Sequence, residues 1–480
     1  SPQTENGEIK TNVVDIVSEG KEKAPTYVIC ASRNPYLNPS SNGSSIPSCS
    51  GSLIKVSAKD VNATLNLNLG LSILNPEIAW LRKILKWTQI LGLMWWEEWL
   101  FAFLKQLPVA FRRKVCLIGW HFYFHLHKVV VGRRSGIHPD ASEEYHALTT
   151  ILYWGRFFPV TIPRMRFCLS QLSAWTNHHV TSQVDRISYT MPGTNPNGWS
   201  QCVKGLYAHS SSSQLNDYSP GVSLPKQTKV IYWIYGGAYL SGDVDGNLAP
   251  ADMVGKACDM DVFLVSYSLV PEAKLDEILW DVCLAYHWLV TVRQVNPADI
   301  ILYGISSGAG LATRLMQFIS KTNRGEDVYP SILSTIMSPM PRGAVLMCPF
   351  VDYTEPDPDG SFIQYARHDL IVNQSVMELG LPYLDSAIGS RRREASPCYD
   401  DCHDLPPLCV IVSEHETVYD QTLLLVNRAR EHGVTVTFGV WKYQCHVFCF
   451  LAAFCPEGKQ ALDFANDWIR KHAGEDGVKN

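Results

Sequence analysis

Ser306 lies in the run Gly304-Ile305-Ser306-Ser307-Gly308, between the apolar stretch 300–303 and the helix-like stretch 309–318. G-x-S-x-G between a strand and a helix is a turn that lifts a serine hydroxyl clear of its neighbours and strains the serine backbone. Glycine is needed on both flanks because a side chain there would strike the adjoining strand or helix. A serine hydroxyl is a weak nucleophile until a base takes its proton and an acid orients that base. Downstream, the apolar run 408–412 leads into Ser413-Glu414-His415-Glu416-Thr417-Val418-Tyr419-Asp420. The run 434–441 leads into Lys442-Tyr443-Gln444-Cys445-His446. Candidate acids and a histidine therefore follow the serine in the order nucleophile, acid, base, each just past a strand end. Ser306 alone could be a helix cap and His446 alone an ordinary core histidine. Their joint placement points instead to acyl transfer through a serine ester.

That chemistry needs a place for a negative oxygen. The run 230–235 is followed at once by Gly236-Gly237-Ala238. Amides exposed in such a turn can donate to a developing oxyanion, and the Ser307 N–H, at the start of the helix after the elbow, is a further donor. The bland alternative is an ordinary glycine turn.

Short apolar strands must carry these residues. Strands are expected over 230–234, 262–266, 300–303, 344–347, 409–412 and 434–440, with helices over 278–289, 422–430 and 461–469. Buried strands separated by helices imply an α/β fold with a mostly parallel sheet covered on both faces. Residues 1–68 read as a loop-rich segment, 69–180 as a helical region and 181–480 as the domain that carries the chemistry. Residues 76–131 hold Trp80, Trp87, Trp95, Trp96, Trp99 and Trp120 and more basic than acidic residues. Two readings compete there: a lid lining an apolar cleft, and peripheral membrane contact through residues 69–131.

The 480 residues are 46 % apolar and 18 % charged, a globular composition. A formal charge of −5 argues against nucleic acid as a partner. The 14 cysteines form no paired C-x-x-C pattern, so buried or free thiols are expected and no metal site is assigned. Cytoplasmic and peripherally membrane-associated locations both fit.

Together, Tyr235-Gly236-Gly237-Ala238 and Gly304-Ile305-Ser306-Ser307-Gly308 resemble the H-G-G-G and G-D-S-A-G motifs of the hormone-sensitive-lipase-like family of α/β-hydrolases. Ser266-Tyr-Ser-Leu-Val-Pro-Glu272 looks like its Y-R-L-A-P-E segment, and Gly343 to Asp352 like its strand ending in S-P-W-x-D. The likeness covers about 225–470. It implies an α/β-hydrolase fold, with a mostly parallel central sheet flanked by helices and an N-terminal helical cap over 76–180, joined by 360–395. It implies a serine carboxylic-ester hydrolase, an esterase or lipase acting on a small hydrophobic ester without a cofactor. An acyltransferase and a non-catalytic small-molecule receptor are the rivals on the same scaffold. By resemblance Ser306 is the nucleophile, His446 the base and Glu416 the acid, with Asp420 the fallback. The amides of Gly237, Ala238 and Ser307 are the oxyanion donors, and Gly236 shapes their turn. The chain departs from the family at Tyr235, Ala238, Ile305 and Ser307, and the Tyr235 hydroxyl is expected to organise the loop as the family's histidine does.

Overall fold

The apolar runs that precede the candidate residues become neighbouring strands. The computed structural model describes residues 13–15, 27–30, 109–130, 141–155, 161–163, 165–166, 180–193, 198–210, 221, 223, 228–366 and 369–474. Among them are ten strands: β1 (Val13–Asp15), β2 (Tyr27–Cys30), β3 (Gln183–Thr190), β4 (Cys202–His209), β5 (Val230–Ile234), β6 (Asp261–Ser266), β7 (Ile300–Ile305), β8 (Gly343–Met347), β9 (Leu408–Ser413) and β10 (Val436–Trp441). They form one sheet in the order β1-β2-β10-β9-β8-β7-β5-β6-β4-β3. From β2 to β6 every pairing is parallel, and antiparallel strands close both edges. Every residue of β5, β7, β8 and β9 is buried, which is why these strands read as unbroken apolar runs and not as alternating ones.

The helices are α1 (Val109–Val130), α2 (Glu143–Gly155), α3 (Val244–Cys258), α4 (Leu275–Thr291), α5 (Ser307–Asn323), α6 (Ser361–Ala366), α7 (Gln374–Ile388), α8 (Arg392–Ala395), α9 (Tyr419–Glu431) and α10 (Pro456–Gly474). Strand order decides where the site forms. The chain adds β6 on one side of β5 and then β7 on the other. At such a reversal the loops after the two strands part and leave a crevice at their carboxyl ends. The loop after β5 and the turn after β7 flank it, and β8, β9 and β10 line up beside it in the same direction.

Element boundaries and several elements differ from the sequence expectation. The strand expected from 434 starts at Val436, because the Val434 amide bonds back to Ala429 O and Gly433 turns the chain with φ 80°. That hydrogen bond closes the end of α9 before the strand can begin. The hairpin β3–β4 and helix α3 were not singled out. β3 lies at the sheet edge and exposes much of both faces, and α3 carries Pro250 in its interior. Within 1–68 the described residues form β1 and β2, which extend the sheet beyond β10.

Of the six tryptophans noted above, Trp120 lies in α1. The other five, and the helix expected after Pro76, lie outside the described residues. Helix α1 turns Trp120, Tyr123 and His127 inward: Tyr123 Oη donates to Ala147 O at 2.9 Å, His127 Nε2 meets Thr150 Oγ1 at 2.9 Å, and Trp120 packs edge-on against Phe454. Its other face leaves Phe111, Ile118, Phe122, Leu126, Val129 and Val130 exposed. No described helix is long and apolar enough to cross a membrane.

Candidate active site

The turn after β7 is built on steric necessity. Ser306 has φ 53° and ψ −119°, a region a non-glycine residue enters only at a cost of about 1–3 kcal/mol. A Cβ on Gly308 would stand 2.1 Å from Ile234 O, and one on Gly304 would stand 2.5 Å from the Ala309 Cα. Both flanking positions therefore need glycine, because β5 and α5 crowd the turn. The strained residue is pinned by sheet-like bonds: Ser306 N donates to Met347 O at 2.8 Å, and Ser306 O accepts from Phe350 N at 3.0 Å.

His446 follows β10 and Glu416 follows β9. The Ser306 Oγ lies 2.8 Å from His446 Nε2, and His446 Nδ1 lies 2.6 Å from Glu416 Oε2. The other carboxylate oxygen, Oε1, accepts from Ser413 N at 2.7 Å. A carboxylate only accepts, so the proton sits on Nδ1 and the Nε2 lone pair faces the serine hydroxyl. Glu416 is wholly buried, and Ser306 and His446 nearly so. Burial alone would depress the imidazole pKa, but the hydrogen bond and charge of Glu416, with the charge of Asp369, outweigh it and raise the value above 6.5. Asp420, the fallback acid, is placed elsewhere: its Oδ2 accepts from Ser361 N at 2.6 Å, at the start of α6. Glu414 lies beside Lys442 and His415.

On the other side of the serine, Gly237 has φ 131°, and a Cβ there would fall 2.1 Å from Ser241 O. Ala238 and Tyr239 follow at φ 55° and 63°. This left-handed run turns the chain so that Ala238 lines the same cavity as Ser306 and His446. Among the described residues, no protein group accepts from the amides of Gly237 or Ala238. The Ser307 amide stands at the first position of α5, where helix geometry leaves N–H groups without an intrahelical partner. Tyr235 stacks on Tyr267 at 4.2 Å, and the Tyr267 hydroxyl donates to Tyr235 O at 2.6 Å, so a pair of tyrosines holds the loop. Arg166 braces it from outside. Its guanidinium takes both Glu272 oxygens at 2.7 Å and donates through Nε to Leu240 O at 2.8 Å.

Above the serine is a cavity of about 50 Å³, roofed by Val372, Val376, Met377, Gly380, Leu381 and Leu384 from α7 and the residues before it. About 10–15 Å³ of such space holds one water-sized group, so it takes roughly three to five heavy atoms. Sequence reasoning missed three residues that touch this assembly. Asp369 Oδ2 accepts from the His446 amide at 3.0 Å, and the Tyr145 hydroxyl accepts from the Cys445 amide at 2.8 Å. The thiol of Cys348, at the end of β8, lies within 4.8 Å of the Glu416 and His446 donor atoms. Burial and the Glu416 charge push that thiol pKa well up, so it stays protonated. A second group of donor atoms close enough for one metal ion is Asp401, His403 and His432. There the His432 Nδ1 already accepts from Cys402 N at 2.9 Å. The ten cysteines from Cys202 to Cys455 are free thiols.

Known proteins match this chain over the same region. Residues 231–450, from β5 to the loop past His446, fit a family profile described as alpha/beta hydrolase fold. The chain is similar to an esterase of Acinetobacter venetianus, 29 % identical over 236 residues, which are 49 % of this chain and 72 % of that protein. It is similar to an acetyl-hydrolase of Streptomyces hygroscopicus, 26 % identical over 247 residues, 52 % of this chain and 77 % of the other. Its backbone is similar to the crystal structure of an esterase from the bacterial hormone-sensitive lipase family. That match has a TM-score of 0.53 at 25 % identity and covers 69 % of this chain and 99 % of the other.

Proposed function

We propose, for a chain that belongs to the hormone-sensitive-lipase-like family of α/β-hydrolases and is a carboxylic-ester hydrolase, that Ser306, His446 and Glu416 carry the reaction and that its esters have short acyl groups. His446 Nε2 takes the hydroxyl proton as Ser306 Oγ attacks the ester carbonyl carbon. The carbonyl oxygen becomes an oxyanion and accepts from the amides of Gly237, Ala238 and Ser307. The tetrahedral adduct collapses, the C–O bond to the alcohol breaks, and the imidazolium returns its proton to the departing alkoxide. The acyl group is left on Ser306. Water then attacks that ester with the same base, releasing the acid and the free serine. Glu416 stays ionised throughout and keeps the imidazole in the tautomer that faces the serine.

The observation that carries this reading is the chain of contacts from Oγ to Nε2 at 2.8 Å and from Nδ1 to Oε2 at 2.6 Å, among three buried side chains. The small apolar cavity supports a short acyl group, acetyl to butyryl. Ser306→Ala tests the assignment. We expect a folded protein whose turnover of p-nitrophenyl acetate falls by about 10³-fold or more, and which a fluorophosphonate no longer labels. Turnover at the wild-type rate in that variant rejects the mechanism.

A second reading concerns the surface and leaves the chemistry unchanged. Residues 69–131 dock on an anionic lipid surface. It is favoured by the exposed apolar stripe of α1 and by a helix sequence with three consecutive cations, Arg112-Arg113-Lys114, and no acidic residue.

A further inference from the structure

We infer that Asp369 is a positioning residue for the proposed reaction: its single buried carboxylate holds the loop of the base with one oxygen and the wall of the acyl cavity with the other. The inference rests on the role given to His446 above. Asp369 is 2 % exposed. Its Oδ2 accepts from the His446 amide at 3.0 Å. Its Oδ1 accepts from the amides of Ile371 and Val372, at 2.8 and 2.9 Å, which fixes the turn that enters α7. Val372 itself lines the cavity, and α7 supplies most of the remaining roof. Three consecutive amides of the loop of the base are thus tied by side chains from three places: Gln444 N to Ser413 Oγ, Cys445 N to the Tyr145 hydroxyl, and His446 N to Asp369. Of these three, only Asp369 also holds the cavity wall, so the filling of that cavity and the placement of the imidazole share one anchor.

Its charge acts as well as its hydrogen bonds. Among the described residues, the groups around His446 are Ser306 after β7, Cys348 after β8 and Glu416 after β9 at the imidazole, and Asp369 before α7 at the backbone amide, with Tyr145 of α2 one residue away. Burial keeps Cys348 and Tyr145 neutral. Among the described residues, the charges of Glu416 and Asp369 favour the imidazolium, and removing one lets the imidazole lose its proton at lower pH.

The test compares Asp369→Asn, Asp369→Ser and Tyr145→Phe in the full chain. Asparagine has one acceptor for three amides. Serine can still cap the turn, so it provides a folded comparison if the first variant is unstable. Both Asp369 variants are expected to lower kcat by about tenfold or more and to move the acid limb of kcat/KM to lower pH. Tyr145→Phe removes an acceptor but no charge, so kcat falls while the acid limb stays. A merely structural role would lower the melting temperature of the Asp369 variants and leave the limb in place. Folded Asp369 variants with wild-type kcat and an unmoved limb overturn the inference, while fluorophosphonate labelling of Ser306 in the wild type keeps the parent mechanism standing. A wild type that resists labelling overturns both.

Discussion

Glu416→Gln separates the acid assignment from its neighbour in the sequence, Asp420. Glu416 uses both oxygens, Oε1 for the Ser413 amide at 2.7 Å and Oε2 for the His446 Nδ1–H at 2.6 Å. Glutamine keeps the shape but has one oxygen. If that oxygen serves Ser413, the new NH₂ faces Nδ1 and fits only an imidazole bare at that atom. The proton then sits on Nε2, which can no longer accept from Ser306. If the amide flips, the buried Ser413 N–H loses its acceptor and the loop must shift. Either way the base is lost in most molecules, and we expect kcat to fall by about 10³–10⁴-fold, equal to roughly 4–5.5 kcal/mol of barrier. Asp420→Asn weakens a bond to the Ser361 amide at the start of α6, away from the imidazole. It should cost about 1 kcal/mol of stability and change kcat by less than about threefold. Initial rates on p-nitrophenyl acetate, with circular dichroism to check folding, decide the matter. A larger kcat loss for Asp420→Asn than for Glu416→Gln would refute the reasoning.

His415 predicts acid sensitivity of the fold. Burial, aided by the Lys442 charge, pushes its pKa down to about 4, and its Nδ1 accepts from the Tyr443 amide at 3.3 Å. The unfolded chain takes this proton near pH 6.5 and the folded chain refuses it until about 4, so stability present above 6.5 is lost as pH falls through that window. The ring is about a third exposed, so the loss is on the order of 1–2 kcal/mol, and urea midpoints at about pH 7 and about pH 4 should converge in His415→Gln. An equal acid loss in both proteins would refute this. For the lipid reading, the wild type should float with phosphatidylserine-containing vesicles and the double variant Phe122→Glu/Leu126→Glu should not, at unchanged ester turnover. Equal flotation of both, or none of the wild type, removes that reading.

The residues at strand ends were legible because a buried parallel strand announces itself as an apolar run, and Ser306, Glu416 and His446 each follow one directly. The fold class followed from the same runs. What stayed hidden depends on contacts between distant segments. The Asp369 turn carries a local sign, an aspartate followed by amides it can cap, but its second oxygen meets a residue 77 positions away. Tyr145 meets Cys445 across 300 positions, and nothing in Glu143–Gly155 marks that hydroxyl. Asp420 and Glu416 sit four positions apart and look alike in sequence. Only the end of β9 decides that one points to the imidazole and the other caps α6. Tyr235, where the family has histidine, donates its hydroxyl to Tyr267 O at 3.3 Å, as expected of it, and also stacks on the Tyr267 ring, a partnership that spacing does not reveal.

Backbone strain adds a separate argument for where function sits. Among the described residues, nine non-glycine residues have positive φ. Six of them, Ala238, Tyr239, Ser306, Cys348, Tyr443 and Val447, belong to the four loops that meet around the serine and the imidazole. At about 1–3 kcal/mol each, that strain rivals the roughly 5–15 kcal/mol by which a whole protein is stable. It persists because the sheet over-determines every one of these loops. Met347 and Phe350 hold Ser306, the Cys348 amide is bonded to Ile411 O at 2.7 Å, Tyr239 O accepts from Val270 N at 2.9 Å, and the Tyr443 amide is bonded to His415. Relaxing Ala238 or Ser306 would rotate the amide or hydroxyl it presents away from the point where the hydroxyl, the imidazole and the candidate oxyanion donors converge. Strain concentrated this way makes the loops stiff toward one another, which is what the proposed proton transfer across 2.8 Å would require.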